Sequence, residues 1–100
     1  MIYVFHLMDK PNQAAVRQQI RPEHKAYLAQ VADRMAFAGP LMDEQEQMMG
    51  SLLAIDFDSL DAAKQWLSQE PFTRAGVYGE VRIDGFVNLW PQKVGFPPKD

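Results

Sequence analysis

The sequence predicts one α+β domain with the element order β-α-β-β-α-β. Three observations lead there. Strand-forming runs alternate with two helical patterns, each helix has a recognisable N-terminal signal, and only a short polar stretch separates the two middle strands. One hundred residues make a single core, since dividing so short a chain would leave neither half enough to bury. Residues 1–90 are taken as that domain, and residues 91–100, with Pro97-Pro98, as a C-terminal tail.

Residues 2–8, Ile-Tyr-Val-Phe-His-Leu-Met, are rich in strand formers and read as the first strand. Asp9-Lys10-Pro11-Asn12 breaks it, and residues 13–20 fit either a loop or a short helical turn. The main helix is expected from Arg21 to about Met35, with Pro22 in its first turn, where the missing N–H costs little. Along it His24, Tyr27, Leu28, Val31 and Met35 fall at i, i+3, i+4, i+7 and i+11, one helical face. A titratable imidazole on such an inward stripe must be paired or must line a pocket.

Residues 36–42 read as a short second strand, and Pro40 argues for an edge because proline cannot donate to a ladder. Residues 43–47 form a polar loop. Met49 to Phe57 is the third strand, with Ser51, Leu53, Ile55 and Phe57 on one face. Asp58 or Ser59 caps the second helix, Asp61 suits its positive end, and Leu60, Ala63 and Leu67 give it an apolar stripe. Pro71 makes Glu70 a poor place to continue that helix. From Val77 to Val87 the chain alternates, Val77, Gly79, Val81 and Ile83 against Tyr78, Glu80, Arg82 and Asp84, and this is the fourth strand.

That order is the split βαβ arrangement of ferredoxin-like folds, an antiparallel four-stranded sheet with both helices on one face. The other face would lack cover. Tyr3, Phe5 or Trp90 are the large residues expected there, which makes it a candidate homodimer interface.

Composition narrows the function classes. The net charge is −3 and no basic run exceeds two residues, so nucleic acid is not an expected partner. The apolar runs are far too short to span a membrane, and the N-terminus reads as a strand and not as a signal peptide. With no cysteine there is no disulfide or thiol chemistry, and a cytoplasmic location is the default. No Gly-x-Gly-x-x-Gly, phosphate loop or nucleophile elbow points to a cofactor, and neither histidine spacing nor cysteine points to a metal.

Four motifs occur in order: Arg21-x-x-His24-x-x-Tyr27-Leu28, Gly39-Pro40, Gly50-Ser51, and Glu70-Pro71-Phe72-x-x-Ala75-Gly76. Together they make the chain resemble the YciI-like (YCII-related) family, small proteins of the dimeric α/β-barrel superfamily, over roughly residues 1 to 90. The resemblance implies a homodimer, and a pocket centred on a histidine and an acid, with an enzymatic role proposed for the family but no general reaction assigned. The histidine maps to His24. The acid is usually the aspartate of an Asp-Pro-Phe motif, whereas Glu70 stands here. The same superfamily includes muconolactone-type isomerases, dehalogenases and monooxygenases, which supports pocket chemistry as a class by analogy.

An unperturbed imidazole titrates near pH 6.5, so His24 can take and return a proton near neutrality, and a carboxylate such as Glu70 would orient the ring and set its tautomer. The plainer alternatives are a helix-capping His24 and a solvated Glu70. Ser51 could offer a hydroxyl to a substrate oxygen or simply be small where elements approach closely. Arg21 could bind an anionic substrate or lie in solvent. His6 shares a strand face with Ile2, Val4 and Met8 and belongs either to the pocket or to a half-buried strand. The expectation is a small homodimeric enzyme of isomerase, lyase or hydrolase type. In it His24 and Glu70 form the acid–base pair, and Arg21, Ser51 and His6 contact a small molecule. The alternative is a non-catalytic ligand-binding or interaction module, in which the same residues shape a cavity or stabilise the dimer.

Overall fold

Alternating apolar residues build the sheet, and the helices cover one of its faces. The computed structural model describes residues 1–92 and 98. Its strands are β1 (Ile2–Asp9), β2 (Met35–Met42), β3 (Met48–Asp56) and β4 (Tyr78–Phe86), and its helices are α1 (Ala14–Ala29), α2 (Leu60–Ser68) and the four-residue α3 (Pro71–Arg74), with a 3-10 turn at Ala32–Arg34. The strand order is β2-β3-β1-β4 and every neighbouring pair is antiparallel. This is the ferredoxin-like α+β fold. Most of residues 91–100, the expected tail, lies outside the described residues. No described helix is long and apolar enough to cross a membrane.

The core lies between helices and sheet. β1 contributes Tyr3, Phe5 and Leu7, β3 contributes Leu53 and Ile55, and Ala63, Leu67, Phe72 and Val77 close over them. Tyr3 and Phe5 therefore point beneath the helices and do not form the open face. Strand parity is the reason: Ile2, Val4, His6 and Met8 take the other side. Trp90 lies beyond β4 and is exposed.

The first helix is the largest departure from the sequence reading. It starts at Ala14, with Pro22 inside it, and ends at Ala29. Pro22 removes one N–H from the ladder, and burial of Val16, Ile20 and Leu28 against the core offsets that loss. Val31, just past the helix, is buried, but Met35 already opens β2.

Elsewhere the local signals hold. Pro40 lies on β2, an edge strand, and Ser59 caps α2 by accepting from the Ala62 N–H at 3.0 Å. In β4 the simple alternation fails at its start. Met8 pairs with Glu80 but Asp9 pairs with Tyr78, a bulge at Gly79. The extra residue turns Tyr78 to the helix side, away from Glu80, Arg82 and Asp84, and buries it.

Candidate active site

Pro71 ends α2 and starts α3, and this places Glu70 at the junction in extended conformation. Its carboxylate caps α3: Oε2 accepts from the Phe72 N–H at 3.1 Å and the Thr73 N–H at 3.3 Å. The other oxygen, Oε1, meets Nδ1 of His24, which α1 delivers from 46 residues earlier in the chain. Glu70 is fully buried, while the His24 side chain keeps 15% of its surface. The imidazole lies flat on Phe72, with ring centroids 3.9 Å apart and planes 13° from parallel.

This arrangement selects a tautomer. With an ionised carboxylate, which only accepts, opposite a neutral ring, the hydrogen of the contact belongs to Nδ1 and Nε2 is bare. Nε2 has no hydrogen-bond partner among the described residues and is not buried. The site thus offers a proton-accepting nitrogen at a half-open edge, backed by a buried acid.

A second polar cluster lies on the same side of the sheet. Arg17 of α1 forms a forked pair with Asp9, Nε to Oδ2 at 2.6 Å and Nη2 to Oδ1 at 2.8 Å. Its Nη2 also donates to Ser51 Oγ at 2.9 Å, and the Tyr78 hydroxyl lies 3.2 Å from that same oxygen. The guanidinium carbon stands 4.9 Å from the centre of the Phe72 ring, and Tyr78 meets that ring edge-on. Burial, reinforced by the negative charges of Glu70 and Asp9, pushes the Tyr78 phenol far above its ordinary value; the Ser51 hydrogen bond and Arg17 oppose this more weakly. Tyr27 is also raised, by burial and then by Glu70, and its hydroxyl donates to the Trp66 carbonyl at 2.7 Å.

The YCII-related domain model matches residues 1–87. The chain belongs to the YCII-related family. It is 36% identical over 98 residues to an uncharacterized protein of Haemophilus influenzae and 34% identical over 98 residues to Protein YciI of Escherichia coli, in each case covering 90% of this chain and all of the relative. Its fold resembles 5-chloro-2-hydroxyhydroquinone dehydrochlorinase (TftG) from Burkholderia phenoliruptrix, solved with 2,5-dihydroxybenzoquinone. The TM-score is 0.81 at 24% identity, over 87% of this chain and 94% of that one.

Within this YCII-related fold the expected site residues separate. His24 and Glu70 meet directly, and the extra methylene of glutamate does not prevent contact. Ser51 joins the Arg17 cluster, one aromatic ring away. Arg21 is exposed and makes no ion pair among the described residues. Both oxygens of Glu70 are already taken, so no unpaired acid draws Arg21 inward. His6 is exposed on the opposite face of the sheet, between Leu52 and Arg82, because its parity on β1 is that of Val4 and Met8.

Two surface depressions are lined by neither His24 nor Glu70. One, of about 290 Å³, is lined by Asp9, Lys10, Asn12, Gln13, Met48 and Met49 among others. The other, of about 350 Å³, is lined by Lys64, Leu67, Ser68, Thr73, Val81 and Ile83. Among the described residues no three His, Cys, Asp or Glu side chains gather as a metal-binding group.

Sequence reasoning missed Asp9, Arg17 and Tyr78. A signal for Arg17 existed, since it precedes His24 by seven residues, two turns on one helical face, but only for a helix that begins before it. Tyr78 needed the bulge, which residue types alone do not place.

Proposed function

We propose that this protein is a small-molecule enzyme working by general acid–base catalysis, with His24 as the proton carrier and Glu70 as the residue that orients it. The observation that carries this reading is the pairing of His24 Nδ1 with a buried, doubly anchored carboxylate while Nε2 stays unbonded at a half-open edge. Nε2 takes a proton from the substrate, the imidazolium that forms is stabilised by Glu70, and the same nitrogen returns the proton at a second atom. Atoms balance within one molecule for an isomerisation, and a leaving group departs with the proton in an elimination. Such a positioned group contributes about 10²- to 10⁴-fold in rate.

Because the two depressions described above do not include His24, we infer that a second copy completes the substrate space. Support comes from the open sheet face around Ile2, Val4, Met8 and Leu52, and from Leu89 and Trp90, both more than four-fifths exposed. We place the homodimer in the cytoplasm, a location consistent with a chain that has no cysteine.

The test is a screen of small oxygen-bearing ring compounds, beginning with hydroxylated quinones and hydroquinones of the kind bound by the structural neighbour. Turnover lost in His24→Ala, with the fold preserved, supports the reading. Undiminished turnover in that variant refutes it. A competing reading has Glu70 serving only as the cap of α3, with His24 as its structural partner in a non-catalytic binding module; the two backbone N–H bonds to Glu70 favour it. Ligand binding without any turnover across the screen would select this second reading.

A further inference from the structure

Phe72 touches both polar groups of the site, and its surroundings are unusually constrained. Arg17 and His24 are seven residues apart on one face of α1, about 10 Å along the helix axis. That separation leaves room for one ring between them, and Phe72 supplies it. The imidazole stacks at 3.9 Å on the ring, and the guanidinium carbon lies 4.9 Å from its centre. Tyr78 packs against the same ring, its plane nearly perpendicular at 85°.

The guanidinium is itself held on three hydrogen bonds, two to Asp9 and one to Ser51, and Arg17 is 7% exposed. A flexible cation in solvent would fix nothing. A forked one, buried and bonded in plane, is a rigid plate. Asp9 also cancels its charge. Arg17 can therefore press on the aromatic ring without adding an uncompensated positive charge beside an imidazole that must accept a proton.

We infer that Arg17 is a positioning residue for His24: locked by Asp9 and Ser51, it clamps Phe72 so that the imidazole is held in one plane and offers only Nε2 outward. The inference rests on the acid–base reading for its purpose, but not for its test. Glu70 fixes the ring at one atom, and a single contact leaves the ring free to rock about it. The Arg17–Phe72 stack removes that freedom. The residue acts through Phe72 and touches no substrate.

The chain has two histidines, and His6 on the opposite sheet face serves as an internal reference. Ring resonances of both are followed by NMR in the wild-type protein, Arg17→Met, Arg17→Lys and Ser51→Ala, with circular dichroism as the check on folding. Stacked on a phenyl ring, the His24 ring protons of the wild-type protein are displaced upfield. In Arg17→Met the upfield displacement is largely lost and the signals broaden, while those of His6 stay in place. Arg17→Lys keeps the charge but lacks the planar fork, and it shows the same loss. If Arg17→Met does not fold, Ser51→Ala decides, since it removes one anchor without changing charge, and it gives part of the shift.

His24 signals that stay at their wild-type positions in the folded variants overturn the inference. A separate variant, Glu70→Gln, reports on the acid–base reading. It alters the His24 tautomer and leaves the upfield displacement intact, so failure of one idea is distinguishable from failure of the other.

Discussion

Replacing Glu70 by alanine removes three hydrogen-bond acceptances at once, from His24 Nδ1, the Phe72 N–H and the Thr73 N–H. The Phe72 contact is buried, so water replaces little of what is lost. Loss of the helix cap costs about 1 kcal/mol. Buried donors left without a partner cost about 1–3 kcal/mol more, and breaking a buried pair from one side costs about 3–5 kcal/mol in total. We expect Glu70→Ala to lose about 3–4 kcal/mol, which for a domain of this size lowers Tm by roughly 15–25 °C. His24→Ala should lose less, about 2 kcal/mol, because its ring retains some exposure and Glu70 keeps both backbone bonds. The double variant then isolates the pair. Urea unfolding of the four proteins should give a coupling of about 2 kcal/mol, the range for a hydrogen bond to a charged group. Coupling below about 0.5 kcal/mol would refute the reasoning, since residues in real contact exceed the error of additivity. Should Glu70→Ala fail to fold, the same cycle with Glu70→Gln retains an acceptor for the backbone and still breaks the charged contact.

The other expectations are more local. Tyr78 has its folded-state pKa above the ordinary 10.0, so above about pH 10 the unfolded chain ionises there while the folded chain keeps its proton. Stability is therefore lost as pH rises past that point, by up to about 1.4 kcal/mol per pH unit. Tyr78→Phe should show a shallower alkaline decline in denaturant titrations at pH 9 to 11, and an unchanged slope would contradict the assignment. Ser59→Ala should cost about 1 kcal/mol through the lost cap on α2, measurable as a shift in the urea midpoint with no change in slope. Asp9→Asn should weaken the forked pair with Arg17 and cost about 3 kcal/mol, since it leaves a buried guanidinium without its counter-charge; a change within 0.5 kcal/mol, about the scale of surface substitutions, would argue against a buried pair. Analytical ultracentrifugation should find a dimer, and a monomer at every concentration would leave the open face without the proposed partner.

Much of this molecule was legible before folding, for physical reasons that differ by element. β3 is legible from its central apolar run, Leu52-Leu53-Ala54-Ile55, which is buried or half-buried throughout. α2 announces itself through Ser59 and Asp61. Glu70-Pro71 reads as an interruption because proline restricts the residue before it. The start of α1 was not legible. It has no side-chain cap and no acidic residue in its first turn, while Pro22 mimics a first-turn proline although it stands mid-helix. That one misplacement hid Arg17, and with it the clamp on Phe72. Tyr78 was misplaced because face assignment in a strand depends on parity and a single bulge reverses it. His6, by contrast, keeps the face it shares with Ile2, Val4 and Met8, which points away from the helices. The pair at the centre was anticipated because an imidazole on an inward stripe needs a partner, and the family resemblance pointed to the acid of Glu70-Pro71-Phe72. The shape of the space beside the pair was not legible in the sequence, because it belongs to packing between elements and not to any one of them.

The most direct test is the protonation pattern of the His24 ring, read by long-range ¹H–¹⁵N correlation at a pH where the imidazole is neutral. The expected pattern is the proton on Nδ1 and a bare Nε2, with Glu70→Gln disturbing that preference. A neutral ring found instead with its proton on Nε2, or one indifferent to the change at Glu70, would contradict it.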